Sequence, residues 1–174
     1  MKAVQLESER LLYEPLSLKH LSKTYVDWLN DSRVNKYLES AGGYTIEALE
    51  LFLKEQEQKQ ILFWAILIRS SQKHIGNIKI DPIDLPNKSG EYGIMMGDTS
   101  EWGKGYAKEA SINIINYCFN ELKLSKITLG VLDKNKAAIK LYKNIGFESN
   151  AIINNYGVYD GETCNAIRMV KKND

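Results

Sequence analysis

The most hydrophobic stretch of the chain is "ILFWAILI", residues 61–68, and after a short polar turn the alternating segment "HIGNIKI" follows it. A continuous apolar run of this length is typical of a buried strand, and the alternation predicts a partner strand beside it. The segments "RLLYEPLS" before this pair, and "EYGIMMG" and "KITLGVL" after it, predict three more strands. The pattern therefore predicts a substantial sheet.

Helical segments separate several of these strands. Ser17 can cap a helix that runs through Asn30, and Thr45 can cap a second helix. The pattern predicts a third helix from Gly105 to Leu122 and a fourth from Asn135 to Ile145. The first strands are connected directly and the later ones through helices. This order predicts an α/β protein with a mixed, twisted sheet, as in α+β folds, and helices on both of its faces.

The remaining segments complete this outline. "DPIDLPNKSG", residues 81–90, predicts a loop, and residues 147–170 predict a closing hairpin of two strands. No internal repeat, low-complexity tract or linker rich in proline and glycine divides the sequence. We therefore expect one domain spanning residues 1–174.

Composition limits the classes of partner. The chain has 174 residues, of which 44% are hydrophobic and 26% charged, and its formal net charge is +1. This balance is typical of a globular protein and gives no general attraction to nucleic acid or to a membrane. The longest apolar run is too short to cross a bilayer, and the charged start "MKAVQLESER" lacks the apolar core of a secretory signal. We expect a cytoplasmic protein, either a monomer or a homodimer.

The cysteines and histidines do not form a metal-binding pattern. Cys118 and Cys164 lie far apart, and only His20 and His74 accompany them. This spacing favours neither a zinc cluster nor a disulfide framework. We expect no metal, and two buried, unreactive thiols.

A glycine-rich turn within "EWGKGYAKEA", residues 101–110, connects the strand "EYGIMMG" to the third helix. The start of a helix exposes unpaired N–H groups at the positive end of its dipole, and glycines remove the side chains that would keep a phosphate away. The turn is thus a candidate phosphate site; the alternative is that Gly103 and Gly105 serve only the turn. A dinucleotide fingerprint would need glycine at Lys108, and a Walker loop would need Ser or Thr at Gly105, so both are disfavoured.

The turn instead resembles the acetyl-CoA signature [RQ]xxGx[GA] of the GNAT acetyltransferase superfamily, which "WGKGYA", residues 102–107, matches after its first position. Trp102 replaces the usual Arg or Gln, and the branch that includes ribosomal-protein alanine acetyltransferases tolerates an aromatic residue there. "NKAAIKLYKNIGF", residues 135–147, resembles the second family signature, N-x-x-A-x-x-x-Y-x-x-x-G-F. "ESERLLYEPLS", "YVDWLNDSRVNKYLES" and "VYDGETCNAIRM" resemble other parts of that branch, so the resemblance covers nearly the whole chain.

This resemblance implies a fold and a co-substrate. The GNAT fold is a twisted, mostly antiparallel sheet of about seven strands that splays between the fourth and the fifth, with helices on both faces. The co-substrate is acetyl-CoA, whose pantetheine resembles an extra strand at the splay. The residues assigned to acetyl-CoA are Met95, Met96, Trp102, Gly103, Lys104, Gly105, Tyr106, Ala107 and Asn135. The alternative role of Met95 and Met96 is core packing, and Asn135 is also placed to cap its helix.

Acetyl transfer from a thioester to an amine needs a neutral nucleophile, a donor for the developing oxyanion and a proton for the leaving thiolate. Tyr142, the tyrosine of the second signature, is the candidate acid, with aromatic packing as its alternative role. Glu91 is the candidate base, directly or through water, because relatives often carry a glutamate on that strand; the alternative is a solvated strand-end carboxylate. A backbone N–H near Met95 or Met96 is the candidate oxyanion donor.

The acceptor amine is expected against the first helices and the closing hairpin, because the cofactor takes residues 91–147. Arg33, Tyr37 and Glu39 are the candidate acceptor-binding residues. Their polarity suits a polyhydroxylated or phosphate-bearing amine, such as a nucleotide-linked amino sugar, and also a protein N-terminus; the alternative is that they are only solvated. A CoA-binding module without catalysis is the competing function, and Tyr142 disfavours it, because a degenerate site need not keep an acid.

Overall fold

A computed structural model describes residues 1–38, 42–59, 61–159 and 161–173. The strands of this part of the chain are β1 (Leu6–Glu7), β2 (Leu11–Pro15), β3 (Leu62–Ile68), β4 (Lys73–Asp84), β5 (Ser89–Met96), β6 (Lys126–Leu132), β7 (Glu148–Tyr159) and β8 (Glu162–Lys172). Its α-helices are α1 (Lys23–Asn30), α2 (Ser32–Asn35), α3 (Ile46–Gln58), α4 (Tyr106–Asn120) and α5 (Lys136–Asn144).

All described strands belong to one mixed sheet with the order β1-β2-β3-β4-β5-β6-β8-β7. Neighbouring strands are antiparallel except β5 and β6, which are parallel. The predicted mixed and mostly antiparallel sheet is confirmed. The count differs by one, because the two-residue β1 pairs with β2 and is too short to show any alternation.

Helices cover both faces of the sheet, as the sequence predicts. The continuous apolar run of β3 is explained by this arrangement: Trp64 and Ile66 pack in the core beneath α4 and α5, whereas Ala65 and Leu67 pack beneath α1 and α3. Both sets of side chains are buried, and each large apolar side chain removed from water stabilises the fold by about 1.5 to 3 kcal/mol.

Two predicted elements have different bounds in the structure. The helix predicted from Ser17 to Asn30 is divided into a 3-10 turn (Leu18–His20) and α1, because the Ser22 side chain accepts the Tyr25 N–H and starts a new helix. The loop predicted for residues 81–90 is mostly strand, since β4 continues to Asp84 and β5 begins at Ser89. The remaining predicted caps are confirmed: Thr45 accepts the Ala48 N–H, and Asn135 accepts the Ala138 N–H.

No helix in the described ranges is both long enough and apolar enough to cross a bilayer. Cys118 and Cys164 are buried, as expected, and burial raises the pKa of the Cys118 thiol to about 12. In the same ranges, no three histidine, cysteine, aspartate or glutamate side chains come together in a geometry that would hold a metal ion.

Candidate active site

The sheet splits between its two parallel strands. β5 and β6 pair only from Ser89–Lys126 to Glu91–Thr128, and β6 then stays with β8 along its whole length. A cleft of about 1340 Å³ opens at this split. The splay predicted between the fourth and fifth strands of the family fold is therefore present, one strand later in the numbering because of β1.

The free edge of β5 offers backbone groups to this cleft. Gly97 N–H donates to the Ile75 carbonyl at 2.9 Å, and Met96 lies opposite Gly76, which fixes the phase of the β4–β5 ladder. Because the two sides of an antiparallel strand alternate, Met95 directs its N–H and C=O towards β4, whereas Ile94 and Met96 direct theirs towards the split. Met95 therefore lines the cleft through its side chain alone, and Met96 is the better placed of the two predicted oxyanion donors.

The predicted turn lies at the end of the same strand. Gly103 and Gly105 have φ values of 77° and 83°, a region that favours glycine, and Gly105 precedes the first residue of α4. It has no side chain to cap the helix, so the N–H groups of Tyr106 and Ala107 face outwards. A Cβ added at Gly103 would meet no atom within 4 Å. The turn thus presents an open, positively polarised surface of backbone N–H groups, which suits a phosphate.

Trp102 closes the gap between the turn and the free edge. Its indole Nε1 donates to the Met96 carbonyl at 2.9 Å, although the side chain remains 45% exposed. Lys104, in contrast, does not line the cleft: its Nζ binds Glu101 at 2.7 Å, and Glu101 also accepts from Lys73 at 3.0 Å. Only the backbone of Lys104 remains in the turn.

Arg10 and Glu109 form an ion pair beside the turn that no sequence pattern predicts. Arg10 Nη1 donates to the Lys104 carbonyl at 2.9 Å, its Nε donates to Glu109 at 2.7 Å, and its guanidinium lies 4.6 Å from the centre of the Tyr106 ring. These contacts tie the start of β2 to the turn and to the first helical residues of α4. No local spacing could have revealed them, because the two residues lie 99 positions apart.

Tyr142 reaches the cleft from the opposite side of the split. It is buried on α5, with its ring edge-on to Tyr92 at 5.7 Å, and it lines the cleft. Burial raises the pKa of Tyr142 to about 12. Because of this raised pKa, Tyr142 keeps its proton at neutral pH. Its hydroxyl forms no hydrogen bond with any other described residue, so its O–H is free to donate.

Glu91 stands at the point where the ladder ends and is held by three hydrogen bonds. Arg168 Nη1 and Nη2 donate to its two oxygens at 2.7 Å each, and Thr128 Oγ1 donates at 2.5 Å. Burial raises the pKa of Glu91, but the hydrogen bonds from Arg168 and Thr128 lower it by a larger amount. The resulting pKa lies below its usual range. Arg168 was not among the predicted residues, since nothing in the sequence relates β8 to β5.

Two of the three predicted acceptor residues, Arg33 and Tyr37, line the same cleft as Tyr142. Arg33 lines the cleft, but its guanidinium is paired with Asp31, with Nη2 and Oδ2 2.5 Å apart. Tyr37 lines the cleft, and its hydroxyl donates to the Lys134 carbonyl at 3.3 Å. Glu39 lies outside the described residues. Asn135 also lines the cleft, while its Oδ1 caps α5.

Comparison with known proteins places this geometry in a family. Residues 10–148 match the family model described as "Acetyltransferase (GNAT) domain". An uncharacterized N-acetyltransferase, p20 of Bacillus licheniformis, is 26% identical over 155 residues, which cover 87% of this chain and 86% of p20.

Two solved structures share the fold. Ribosomal-protein-S5-alanine acetyltransferase from Vibrio fischeri superposes with a TM-score of 0.82 at 19% identity, covering 98% of this chain and 97% of that one. Spermidine N-acetyltransferase from Vibrio cholerae, in complex with CoA and spermine, superposes with a TM-score of 0.84 at 22% identity, covering 95% and 97%. The chain accordingly belongs to the GNAT acetyltransferase family and is an acetyl-CoA-dependent acyltransferase.

Proposed function

We propose that this enzyme transfers the acetyl group of acetyl-CoA to a primary amine by direct attack within a ternary complex. One observation carries the proposal: the glycine turn, the free edge of β5 and the hydroxyl-bearing Tyr142 line one continuous cleft. The co-substrate supplies an acetyl group on a thioester, which an amine can attack and from which a thiolate leaves.

The backbone of the cleft fits acetyl-CoA along its length. The N–H groups at the start of α4 would hold the pyrophosphate, and the absence of side chains at Gly103 and Gly105 leaves room for it. The peptide group of Ile94 would pair with an amide of pantetheine as a neighbouring strand does, since the Met96 carbonyl already accepts from Trp102. The amide of Asn135 would contact the same molecule from the other side of the split, while still capping α5.

Two groups of the chain are placed to assist the reaction. The Met96 N–H faces the split and would donate to the developing oxyanion, a contribution of about 2.7 to 4 kcal/mol for one such donor in other enzymes. Tyr142 would transfer its hydroxyl proton to the departing thiolate. Burial makes Tyr142 a weaker acid, whereas loss of solvent around the departing thiolate would make the thiolate a stronger base, so the two effects act in opposite directions on this proton transfer.

The demand for a base depends on the acceptor. An α-amino group with a pKa of about 7.8 is neutral in roughly one molecule in ten at pH 7, whereas a lysine-type amine with a pKa of about 10.4 is almost fully charged. Glu91 would remove the proton through a water molecule. Its three hydrogen bonds make it a weak base, so this role suits an acceptor that is already partly neutral.

Two classes of acceptor fit the polar wall formed by Arg33 and Tyr37, to which Glu39 would be added. One is a small amine that carries hydroxyl or phosphate groups, such as a nucleotide-linked amino sugar; the other is a protein N-terminus. Both are primary amines and both need the polar contacts that these side chains supply. A non-catalytic CoA-binding module is the competing function, and the free hydroxyl of Tyr142 argues against it.

The test combines binding and turnover. Calorimetry with acetyl-CoA, NAD and ATP should show binding of acetyl-CoA alone, and thiol release should then depend on an added amine. The Tyr142→Phe protein serves as the matched control, because it keeps the ring and loses the proton donor. Tight acetyl-CoA binding without amine-dependent thiol release, over a broad set of amines, would replace the enzyme with the CoA-binding module.

A further inference from the structure

The acceptor side of the cleft has an unusual balance of charge. The carboxylates among the described lining residues of the whole cleft are Glu91 and Glu101, and both are already paired, Glu91 with Arg168 and Glu101 with Lys73 and Lys104. Neither is free to receive an ammonium group from a substrate. Within the described cleft, nothing therefore resembles a site for a polycationic amine.

Lys79 has the opposite character. It lines the cleft and is half-buried, and its ammonium forms no hydrogen bond or ion pair with any other described residue. The positive charge of Lys79 helps to lower the pKa of Glu91, but both oxygens of Glu91 are already bound by Arg168 and Thr128, so Lys79 remains able to attract a negatively charged ligand. Lys108 and Lys140 also line the cleft, but both are exposed and lie on α4 and α5, on the cofactor side.

The position of Lys79 is set by Gly93. The two residues are cross-strand partners on β4 and β5, and a Cβ added at Gly93 would lie 3.4 Å from Lys79 Cε and 3.5 Å from its Cγ. The lysine side chain thus lies across β5, and its ammonium projects from β4 towards the split. The ammonium therefore enters the cleft beside Gly93.

The face of the sheet agrees with this placement. Lys79, Gly93 and Glu91 share the face beneath α2, where Arg33 and Tyr37 form the wall, whereas Tyr142 lies on the other face. An acceptor on the α2 side would therefore meet Lys79 as it approaches the split. A nearby cation also favours the neutral form of an attacking amine, which is the reactive form.

We propose that Lys79 binds an acid group of the acceptor, a carboxylate or a phosphate a few bonds from the nitrogen, and that the enzyme thereby prefers acid-bearing amines to neutral amines and to polyamines. This inference deepens the proposed function and depends on it. It narrows the acceptor to amines such as amino acids or phosphorylated amino compounds, and it makes Lys79 a specificity-determining residue.

The test compares matched pairs of amines on the full-length protein by thiol release. L-Alanine is paired with L-alaninamide for the carboxylate, and phosphoethanolamine with ethanolamine for the phosphate; spermidine is the polycation. The acid-bearing member of at least one pair should have a kcat/KM about tenfold higher or more, and the pair that shows this identifies which acid group is used. Since alaninamide has the less basic amine, its own reactivity works against the expected result.

The variants then assign the preference to Lys79. Lys79→Met keeps the length of the side chain and removes its charge, and should lower the acid-to-neutral ratio about 10- to 100-fold, mainly through KM. Lys79→Arg should retain most of the ratio. Lys54→Met is the matched control, because it removes the same charge from an exposed ion pair on α3, outside the cleft.

Three outcomes would overturn the inference. Equal kcat/KM values within both pairs, a preference for spermidine, or a ratio that survives in Lys79→Met would each do so while leaving amine acetylation intact. Absence of thiol release with every amine would instead refute the proposed function, and the inference with it. Calorimetric binding of acetyl-CoA to Lys79→Met verifies that the variant is folded.

Discussion

On the side of the cleft that faces α4 and α5, the contacts available to a ligand come mainly from the polypeptide backbone; beneath α2, they come from charged side chains. The first side consists of the edge of β5 at Ile94 and Met96 and of the turn around Gly105. The second consists of Lys79, an ion pair between Glu91 and Arg168, and the wall around Tyr37. Backbone contacts recognise what every family member shares, whereas side chains can differ from one acceptor to the next.

Tyr142 is the exception on the backbone side, and its removal should have the largest effect. Tyr142→Phe should lower turnover about 10²- to 10⁴-fold, as expected for loss of a general acid, with acetyl-CoA affinity nearly unchanged. Steady-state kinetics and calorimetry on the same preparation separate the two quantities. Unchanged turnover would mean that water or another group protonates the thiolate, and Tyr142 would then be a packing residue beside Tyr92.

The turn should tolerate changes of side chain everywhere except at glycine. Gly105→Val should weaken acetyl-CoA binding about 100-fold, because a branched residue is strained at a φ of 83° and its side chain would occupy the space of the phosphate. Trp102→Phe is the matched control, since it removes only the bond from Nε1 to the Met96 carbonyl and should change the affinity a few-fold at most. Intact affinity in a folded Gly105→Val protein would show that the phosphates bind elsewhere.

On the acceptor side, removing the Tyr37 hydroxyl should weaken binding of the amine more than binding of acetyl-CoA. Tyr37→Phe removes the hydrogen bond to the Lys134 carbonyl and should raise the KM of the amine about 3- to 10-fold, with acetyl-CoA affinity preserved. Initial rates at varied amine and saturating acetyl-CoA give this value. Glu39 lies outside the described residues, and Glu39→Ala is expected to act in the same direction. A loss of acetyl-CoA affinity in either variant would contradict the assignment of cofactor and acceptor to separate sides of the cleft.

Loss of the ion pair between Glu91 and Arg168 should have a smaller effect, on the pH dependence of stability. The folded-state pKa of Glu91 lies below its unfolded value, so its contribution is present above the unfolded pKa and is lost as pH falls through the folded one. Glu91→Gln should therefore cost about 1 to 2 kcal/mol of unfolding free energy near pH 7, and less in acid. Denaturant titrations at several pH values measure this difference.

The same variant tests the role of Glu91 as a base. If Glu91 accepts the proton, Glu91→Gln should shift the low-pH limb of the rate profile. An unchanged limb, together with the loss of stability, would restrict Glu91 to positioning Arg168 at the floor of the cleft.

The sequence predicted the two sides of the cleft unequally, and the reason lies in the range of the contacts. The turn at Gly105 and the cap at Asn135 depend on residues within a few positions of each other, so a linear pattern reveals them. Arg168 meets Glu91 across 77 residues, and Lys79 meets the split only because Gly93 leaves space beside it. Such pairings depend on strand order and register, which hydrophobic periodicity does not specify.

Within the fold, the errors also have local causes. The short β1 has no periodicity to detect, and the sequence predicts one first helix because its apolar residues keep close to helical spacing from Leu18 to Leu29, across the break at Ser22. The loop predicted at residues 81–90 contains two prolines and a glycine, which are usual in turns, yet β4 and β5 run through most of it. For these strands, pairing across the sheet outweighed the local preference, whereas the division of the first helix follows from the cap at Ser22.

The free edge of β5 has a consequence for how such proteins diverge. The peptide groups of Ile94 and Met96 would offer the same hydrogen bonds whichever residues occupied these positions, so mutation can rewrite much of the strand without erasing its purpose. The Vibrio cholerae and Vibrio fischeri structures illustrate the latitude, since they keep the fold at 22% and 19% identity. A backbone hydrogen bond at this edge therefore survives a change of side chain, whereas the contact proposed for Lys79 would not.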